Sequence, residues 1–365
     1  MEVRKSESAR HDATRSTRQM RSIAARPLLR VLSRGLARAG SGREARRLSP
    51  FGSVPGDEEL RERHLKAIEA LGDDGVDAEV LEDVDRLQLG RRKGGSKERK
   101  VASRRSGHGI ECRFVGMCLE PSDPLPQLPS DLPEVAIVGR SNTGKSALLN
   151  ALCGAAPLRG AASVSSRPGH TTSLNFFELR EGNLTIDALM TLVDLPGYGP
   201  AIGRSQSMRK LWARATVNYL TNRRQLACAF VLLDSTLGVT SDDAAFLDTL
   251  DKLEVEYHAV LTKADLLTPR ELAISYELVR RDVSERPRYA GGDIPMTSAR
   301  NAAGVAELWE RMRLGVVHRV HEMSESERKA LFGEQDGEEI EEEEEIVGER
   351  RRRRRRRRTA SAAEA

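Results

Sequence analysis

Gly139-Arg140-Ser141-Asn142-Thr143-Gly144-Lys145-Ser146 is the stretch from which the rest of this chain is read. It has the form G-x-x-x-x-G-K-S, with the apolar run Val135-Ala136-Ile137-Val138 before it and Ala147-Leu148-Leu149-Asn150-Ala151-Leu152 after it. Strand, tight loop and helix in that order are the context a phosphate-binding loop requires. Its glycines let the backbone turn and approach phosphates with no Cβ in the way. Backbone N–H groups and the helix N-terminus then cradle the anion. All eight residues, Gly139 to Ser146, are therefore expected at a nucleotide. Lys145 is expected to reach the β/γ-phosphates and the Ser146 hydroxyl to bind Mg²⁺.

Three later segments extend the site. Asp194-Leu195-Pro196-Gly197 ends an apolar strand, where a carboxylate holds Mg²⁺, commonly through water, and the Gly197 N–H meets the γ-phosphate. Thr262-Lys263-Ala264-Asp265 follows the strand Ala259-Val260-Leu261. A carboxylate at Asp265 accepts from two adjacent N–H groups of guanine, a pair adenine lacks, so the base read is guanine. The Lys263 stem is expected to lie against the base. Thr297-Ser298-Ala299 ends the last expected strand, and a backbone N–H there can read guanine O6. Between Ser163 and Thr172 the chain is small, polar and Gly-containing, and a threonine there can complete a Mg²⁺ shell when a γ-phosphate is bound, the basis of a nucleotide switch. His170 in that stretch reads as a surface histidine rather than a base.

Around these motifs, strands are expected at 112–118, 134–139, 173–179, 185–194, 227–234, 257–262 and 293–297. Helices are expected at 145–153, 205–223, 241–254, 269–286 and 303–321. Strands alternating with helices imply an α/β three-layer sandwich, a mostly parallel sheet covered on both faces. Ala227 to Leu233 is apolar throughout, as in a strand buried on both sides. The runs flanking Glu181-Gly182-Asn183 read as one antiparallel edge hairpin. Ligands of such sheets bind beyond the carboxyl ends of the strands, where every motif above falls.

The 365 residues are 39% hydrophobic, 31% charged and only 4% aromatic, lean for a chain folded throughout. The net charge of +4 conceals blocks of both signs. Residues 1–50 hold thirteen Lys/Arg and four Asp/Glu, with none acidic from Met20 to Arg43, where Arg26, Arg30, Arg34 and Arg38 share one helical face. That is the pattern of an organellar transit peptide; a basic nucleic-acid-binding arm is the other reading. Residues 51–110 alternate acidic and basic blocks and are expected as a largely disordered linker with one or two helices, one from about Glu58 to Leu71. The folded domain is expected over 111–321. Residues 322–365 form a tail with nine acidic residues in Glu334–Glu345 and nine arginines in Arg350–Arg358. Cys112, Cys118, Cys153 and Cys228 lack metal-ligand spacing and read as small buried hydrophobes. No apolar stretch reaches the ~20 residues of a membrane span.

The combination GRSNTGKSALLNAL, RPGHTTSLNFF, VDLPGYG, TKAD and TSA resembles the EngB (YihA) family of translation-factor-class P-loop GTPases, over about residues 112–320. Thr143 stands where that family usually has Val, and Arg167-Pro168-Gly169-His170-Thr171-Thr172 keeps only part of its switch pattern. The resemblance implies GTP and GDP as ligands, Thr171 as the switch ligand of Mg²⁺, and a role in assembling the large ribosomal subunit, with rRNA as a partner. Trp212, Tyr219 and Leu220 also match the family. Lys145, Asn142 and Thr171 are the expected catalytic groups. Tyr198 stands where Ras-like enzymes place a water-orienting Gln, so slow intrinsic hydrolysis is expected. Asn142 matches an Asn with which related GTPases hold K⁺ near the phosphates, a charge equivalent to an arginine finger.

A monomeric GTPase acting on ribosomes in a mitochondrion or plastid is the first reading. The nine-Arg run also fits a nuclear or nucleolar address, and a cytoplasmic location is the remaining alternative. A signalling or trafficking switch is the second reading; Thr359-Ala360-Ser361-Ala362-Ala363-Glu364-Ala365 offers it no prenylation Cys. A scaffold that binds GTP without turnover is the third, opposed by the joint presence of Lys145, Ser146 and Asp194.

Overall fold

Six strands form one sheet in the order β1-β3-β4-β2-β5-β6: β1 (Ile110–Cys118), β2 (Glu134–Gly139), β3 (Leu174–Glu181), β4 (Ala188–Asp194), β5 (Leu226–Asp234) and β6 (Tyr257–Thr262). The structure, a computed structural model, describes residues 56–72, 76–91, 110–120, 123–128, 132–153, 173–181, 188–199 and 205–322. The expected leader, residues 92–105 of the basic block, the Ser163–Thr172 stretch with Thr171, and the tail beyond 322 lie outside the described residues.

β2 pairs in parallel with β4 and β5, and β5 with β6. β3 is antiparallel to both β4 and β1, so it alone reverses direction. The expected hairpin is thus β3–β4, with β1 added at the edge. The parallel strands run in one direction, and their carboxyl ends, at Gly139, Asp194, Asp234 and Thr262, gather at one rim.

Seven helices are described: α1 (Asp57–Leu71), α2 (Ala78–Arg86), α3 (Lys145–Leu152), α4 (Gln206–Asn222), α5 (Ser241–Leu253), α6 (Pro269–Ser284) and α7 (Val305–Glu322). Strand periodicity sorts the two layers. Val135 and Ile137 of β2 belong to one core with Leu148, Leu149 and Leu152 of α3 and Leu308, Trp309 and Met312 of α7. Ala136 and Val138 belong to the other, with Trp212 and Tyr219 of α4, Phe246 and Leu250 of α5, and Leu272 and Val279 of α6. α5 and α6 both start with a capping box, Thr240/Asp243 and Thr268/Glu271. The base of β2 is tied to the end of α4: the buried Glu134 accepts from Tyr219 Oη at 2.9 Å and Arg223 Nε at 2.7 Å.

Two expectations change. Residues 293–297 are not a strand; only Met296 bridges β6, at Leu261. Pro295 has no N–H to give, so this segment offers its carbonyl to Leu261 and regains a donor only at Thr297, whose N–H returns to Leu261 O at 2.7 Å. Second, the helices expected within the linker, α1 and α2, are packed parts of the folded domain: their Ile68 and Val84 lie in the same core as α4 to α6. Each helix carries only a narrow apolar stripe in a highly charged segment, too little by itself to signal packing in the core.

Candidate nucleotide-binding site

β2 delivers the loop 139–146 to the sheet's carboxyl rim, and its geometry explains its residues. Gly139 is hemmed in: a Cβ there would stand 2.7 Å from Thr143 Oγ1 and 3.0 Å from Leu232 Cβ. Asn142 and Gly144 adopt φ of 71° and 92°, the left-handed region that Gly enters freely and Asn tolerates. Thr143 closes the loop on itself, its N–H and its hydroxyl both donating to Arg140 O, at 3.1 and 2.9 Å. The threonine in place of the resembled family's valine thus has a structural role. Gly144 then starts α3, which places Lys145 and Ser146 in its first turn.

Lys145 and Asp194, 49 residues apart, form a buried ion pair. Asn175 Nδ2 of β3 adds a 3.5 Å contact to the other oxygen of Asp194. The cation expected on the phosphates and the carboxylate expected on the metal thus neutralise each other. Ser146 lies exposed beside Lys145 in the same helical turn. Among the described residues no group of three His, Cys, Asp or Glu could hold a metal ion. One carboxylate and one hydroxyl are a hard-oxygen pair suited to Mg²⁺ that also takes phosphate oxygens and water. The residues fit that ion.

Beyond Asp194 the chain presses against the phosphate loop. A Cβ on Gly197 would stand 3.1 Å from Gly139 O. Ser141 N–H donates to Tyr198 O at 2.9 Å, and Tyr198 N–H to Gly139 O at 3.2 Å. The Tyr198 ring is held elsewhere. It stacks on Phe246 at 4.5 Å and its hydroxyl donates to Asp243 Oδ1 at 2.7 Å. Burial, then the Asp243 charge, raises its pKa well above the ordinary phenol value, so it remains a donor. Burial likewise raises Asp243, opposed by hydrogen bonds from Thr240 and Tyr198. The Arg140 side chain is also engaged, by Asp57 of α1 and by Asp242 of α5 at 3.3 Å. Its part in the loop is that of its backbone.

At the base end, Ser298 Oγ donates to Asp265 Oδ1 at 2.7 Å, bringing together two expected base-reading residues 33 positions apart. The Ser298 N–H is committed to Ala303 O, which leaves the N–H of Ala299 for a ring oxygen. Gly304 makes this turn possible: its φ is +73° and a Cβ would meet Met296 O at 1.8 Å. Lys263, at φ 57°, donates to Asp234 Oδ2 at 2.6 Å. Asp234 went unnoticed in the sequence because it ends β5 with no recognised motif. Thr262 joins the two ends of the site, its hydroxyl donating to Thr143 O at 2.7 Å. Of the expected residues, all but Thr171 are placed along this one rim.

A family model described as "50S ribosome-binding GTPase" matches residues 134–263. A "Probable GTP-binding protein EngB" of Rhodospirillum rubrum is 38% identical over 196 residues, 53% of this chain and 80% of the relative. Another so named, from Cereibacter sphaeroides, is 36% identical over 58% of this chain and 93% of its own length. A solved structure described as a probable GTP-binding protein engB aligns with 51% of this chain and 99% of its own, at 20% identity and a TM-score of 0.38.

Proposed function

This chain belongs to the EngB family of GTP-binding proteins, and from that premise we propose that it is a GTP-driven assembly factor for a large ribosomal subunit in a mitochondrion or plastid. The chain binds and hydrolyses GTP. The observation that carries the ribosomal reading is the match of 134–263, the segment holding Lys145, Asp194 and Lys263, to a family described as 50S ribosome-binding GTPases.

The roles follow from the rim. Lys145 exchanges its carboxylate partner for β/γ-phosphate oxygens when nucleotide enters. Ser146 and Asp194 would hold Mg²⁺, which supplies positive charge to the phosphates as they separate. Thr171 would complete that shell in the GTP state. Asp265, braced by Ser298, selects guanine, and Lys263 covers the base. Tyr198 orients no water, so turnover is slow until the bound particle assists. K⁺ beside Asn142 would add charge where the β/γ bond opens. GTP favours the particle-bound state and hydrolysis favours release. The arginine blocks of the leader and tail would add contacts to rRNA phosphates.

Co-sedimentation with large ribosomal subunits, at two salt concentrations and with GDP or a non-hydrolysable GTP analogue, tests this. Retention with the analogue and loss with GDP is expected at both salts. Retention indifferent to nucleotide would sink the switch. A reporter fused separately to residues 1–50 and 320–365 tests the location; the organelle reading requires import by the first alone.

A further inference from the structure

Helix α1 lies outside the 134–263 segment of the family model, yet its inner face is built from the nucleotide site. Asp57, Arg61, His64 and Ile68 follow the i, i+4, i+7, i+11 spacing of one helical face. Asp57 pairs with Arg140 of the phosphate loop, both buried. Arg61 Nε donates to Thr236 Oγ1 at 3.4 Å. Ser275 gives its proton to Ser235 O at 2.8 Å, so His64 Nε2 is the donor in the 3.0 Å contact with Ser275 Oγ. The imidazole lies on Gly238, where a Cβ would come within 2.6 Å of it. Ile68 anchors the helix in the core. On the outer face Glu58, Glu59, Glu62, Arg63 and Lys66 are exposed.

The turn that Arg61 and His64 grip stands directly behind the base site. Thr236 donates through its N–H and its hydroxyl to Asp234 Oδ1, at 2.9 and 2.7 Å. The other oxygen of Asp234 holds Lys263 at 2.6 Å. From Asp57 to His64 is about 10 Å of helix. Over that length one rigid element holds the phosphate loop at one end and, through Thr236 and Asp234, the guanine-site lysine at the other.

We propose that α1 is a positioning element of the GTPase site, in which Asp57, Arg61 and His64 fix the phosphate loop relative to Lys263 and so set how long guanine nucleotide stays bound. It rests on guanine-nucleotide binding and not on the ribosomal reading. With α1 docked, both walls of the site are held at one fixed spacing. With it loosened, each wall moves independently and nucleotide leaves sooner.

The test uses the full chain loaded with fluorescent GDP and chased with unlabelled GDP. Asp57→Ala and His64→Ala should each speed release at least fivefold and raise the KM for GTP, with kcat at saturation within twofold of the parent. Glu62→Ala, on the outer face, should release at the parental rate. In an Arg140→Ala background, Asp57→Ala should add less than twofold. Should Asp57→Ala fail to fold, Asp57→Asn, which keeps the size and loses the charge, takes its place. A merely structural helix would lower the unfolding midpoint and leave release at 20 °C unchanged. Release within twofold of the parent for both inner-face variants, or an equal rise for Glu62→Ala, overturns the proposal. A parent chain that retains no GDP overturns this proposal and the GTP-binding premise together, whereas loss of ribosome binding alone touches neither.

Discussion

The hydroxyl of Thr262 donates to the carbonyl of Thr143 across 2.7 Å, joining the loop expected at the phosphates to the strand end that carries the residues expected at the base. The same hydroxyl lies 3.2 Å from Leu233 O, but its one proton goes to the shorter contact. Thr262→Val keeps the shape and leaves Thr143 O without this donor, at a cost of about 1–3 kcal/mol. GTP affinity should fall about tenfold with preference for guanine over adenine retained, because Asp265 is untouched. Titration of fluorescent GTP against ATP competitor checks it; a loss of guanine preference would contradict it.

The buried Lys145–Asp194 pair predicts an asymmetry between folding and function. Lys145→Ala leaves a buried carboxylate without its cation and should cost about 3 kcal/mol or more of nucleotide-free stability. Lys145→Met with Asp194→Asn removes both charges and should recover most of it. Neither variant should hydrolyse GTP. Urea midpoints alongside phosphate release separate the two effects, and a double variant as unstable as the single would refute the pairing argument.

Tyr198 is occupied by Asp243 and Phe246, so its hydroxyl should not matter to turnover. Tyr198→Phe should leave single-turnover hydrolysis within about threefold of the parent while costing about 1.5–3 kcal/mol of stability, the worth of one hydrogen bond to a charged neighbour. A hundredfold loss of rate would instead place the phenol at the reacting phosphate.

Asn142 is expected to hold K⁺. Hydrolysis should be faster in K⁺ than in Na⁺ at equal ionic strength, by tenfold or more if the ion supplies charge at the β/γ bond. Asn142→Ala should abolish the difference while GDP affinity stays within a few-fold. Equal parental rates in the two salts would end the idea.

His258 on β6 predicts acid sensitivity. Among the described residues neither ring nitrogen has a hydrogen-bond partner, and Phe230 and Gly315 pack against the ring. Burial, then the charges of Arg311 and His318, push its pKa down from 6.5 to about 3. Between those values the unfolded chain binds a proton that the folded chain refuses. Stability is therefore full above about pH 6.5 and falls by up to about 1.4 kcal/mol per pH unit toward pH 3. His64, lowered mainly by burial, acts in the same direction. His258→Phe should flatten, without abolishing, the drop in urea midpoint between pH 7 and 5; an unchanged slope would exclude His258 as the cause.

Much of the fold was legible because its signals are local. β2, its loop and α3 are one strand–turn–helix unit whose glycines and threonine are dictated by backbone geometry at Gly139 and Gly144. β5 announced itself by an unbroken apolar run. α1 was legible only as a helix. Asp57, Arg61 and His64 look like solvated charge in a segment rich in charge, and nothing in their spacing names what they would meet. Asp234 and Asp243 were missed for the same reason, being ordinary acids at a strand end and a helix start.

By itself, then, the sequence determined which groups this protein is expected to bring to a nucleotide: a phosphate loop, Asp194 for the metal and Asp265 for guanine. Each depends on residue type and short-range spacing, which a chain carries wherever it folds. The tertiary structure decided how those groups are held. Lys145 meets Asp194 across 49 residues, Arg140 meets Asp57 across 83, and Thr262 meets Thr143 across 119. Such pairings follow from strand order and from which helix covers which face, and buried polar groups must find partners there once water is excluded.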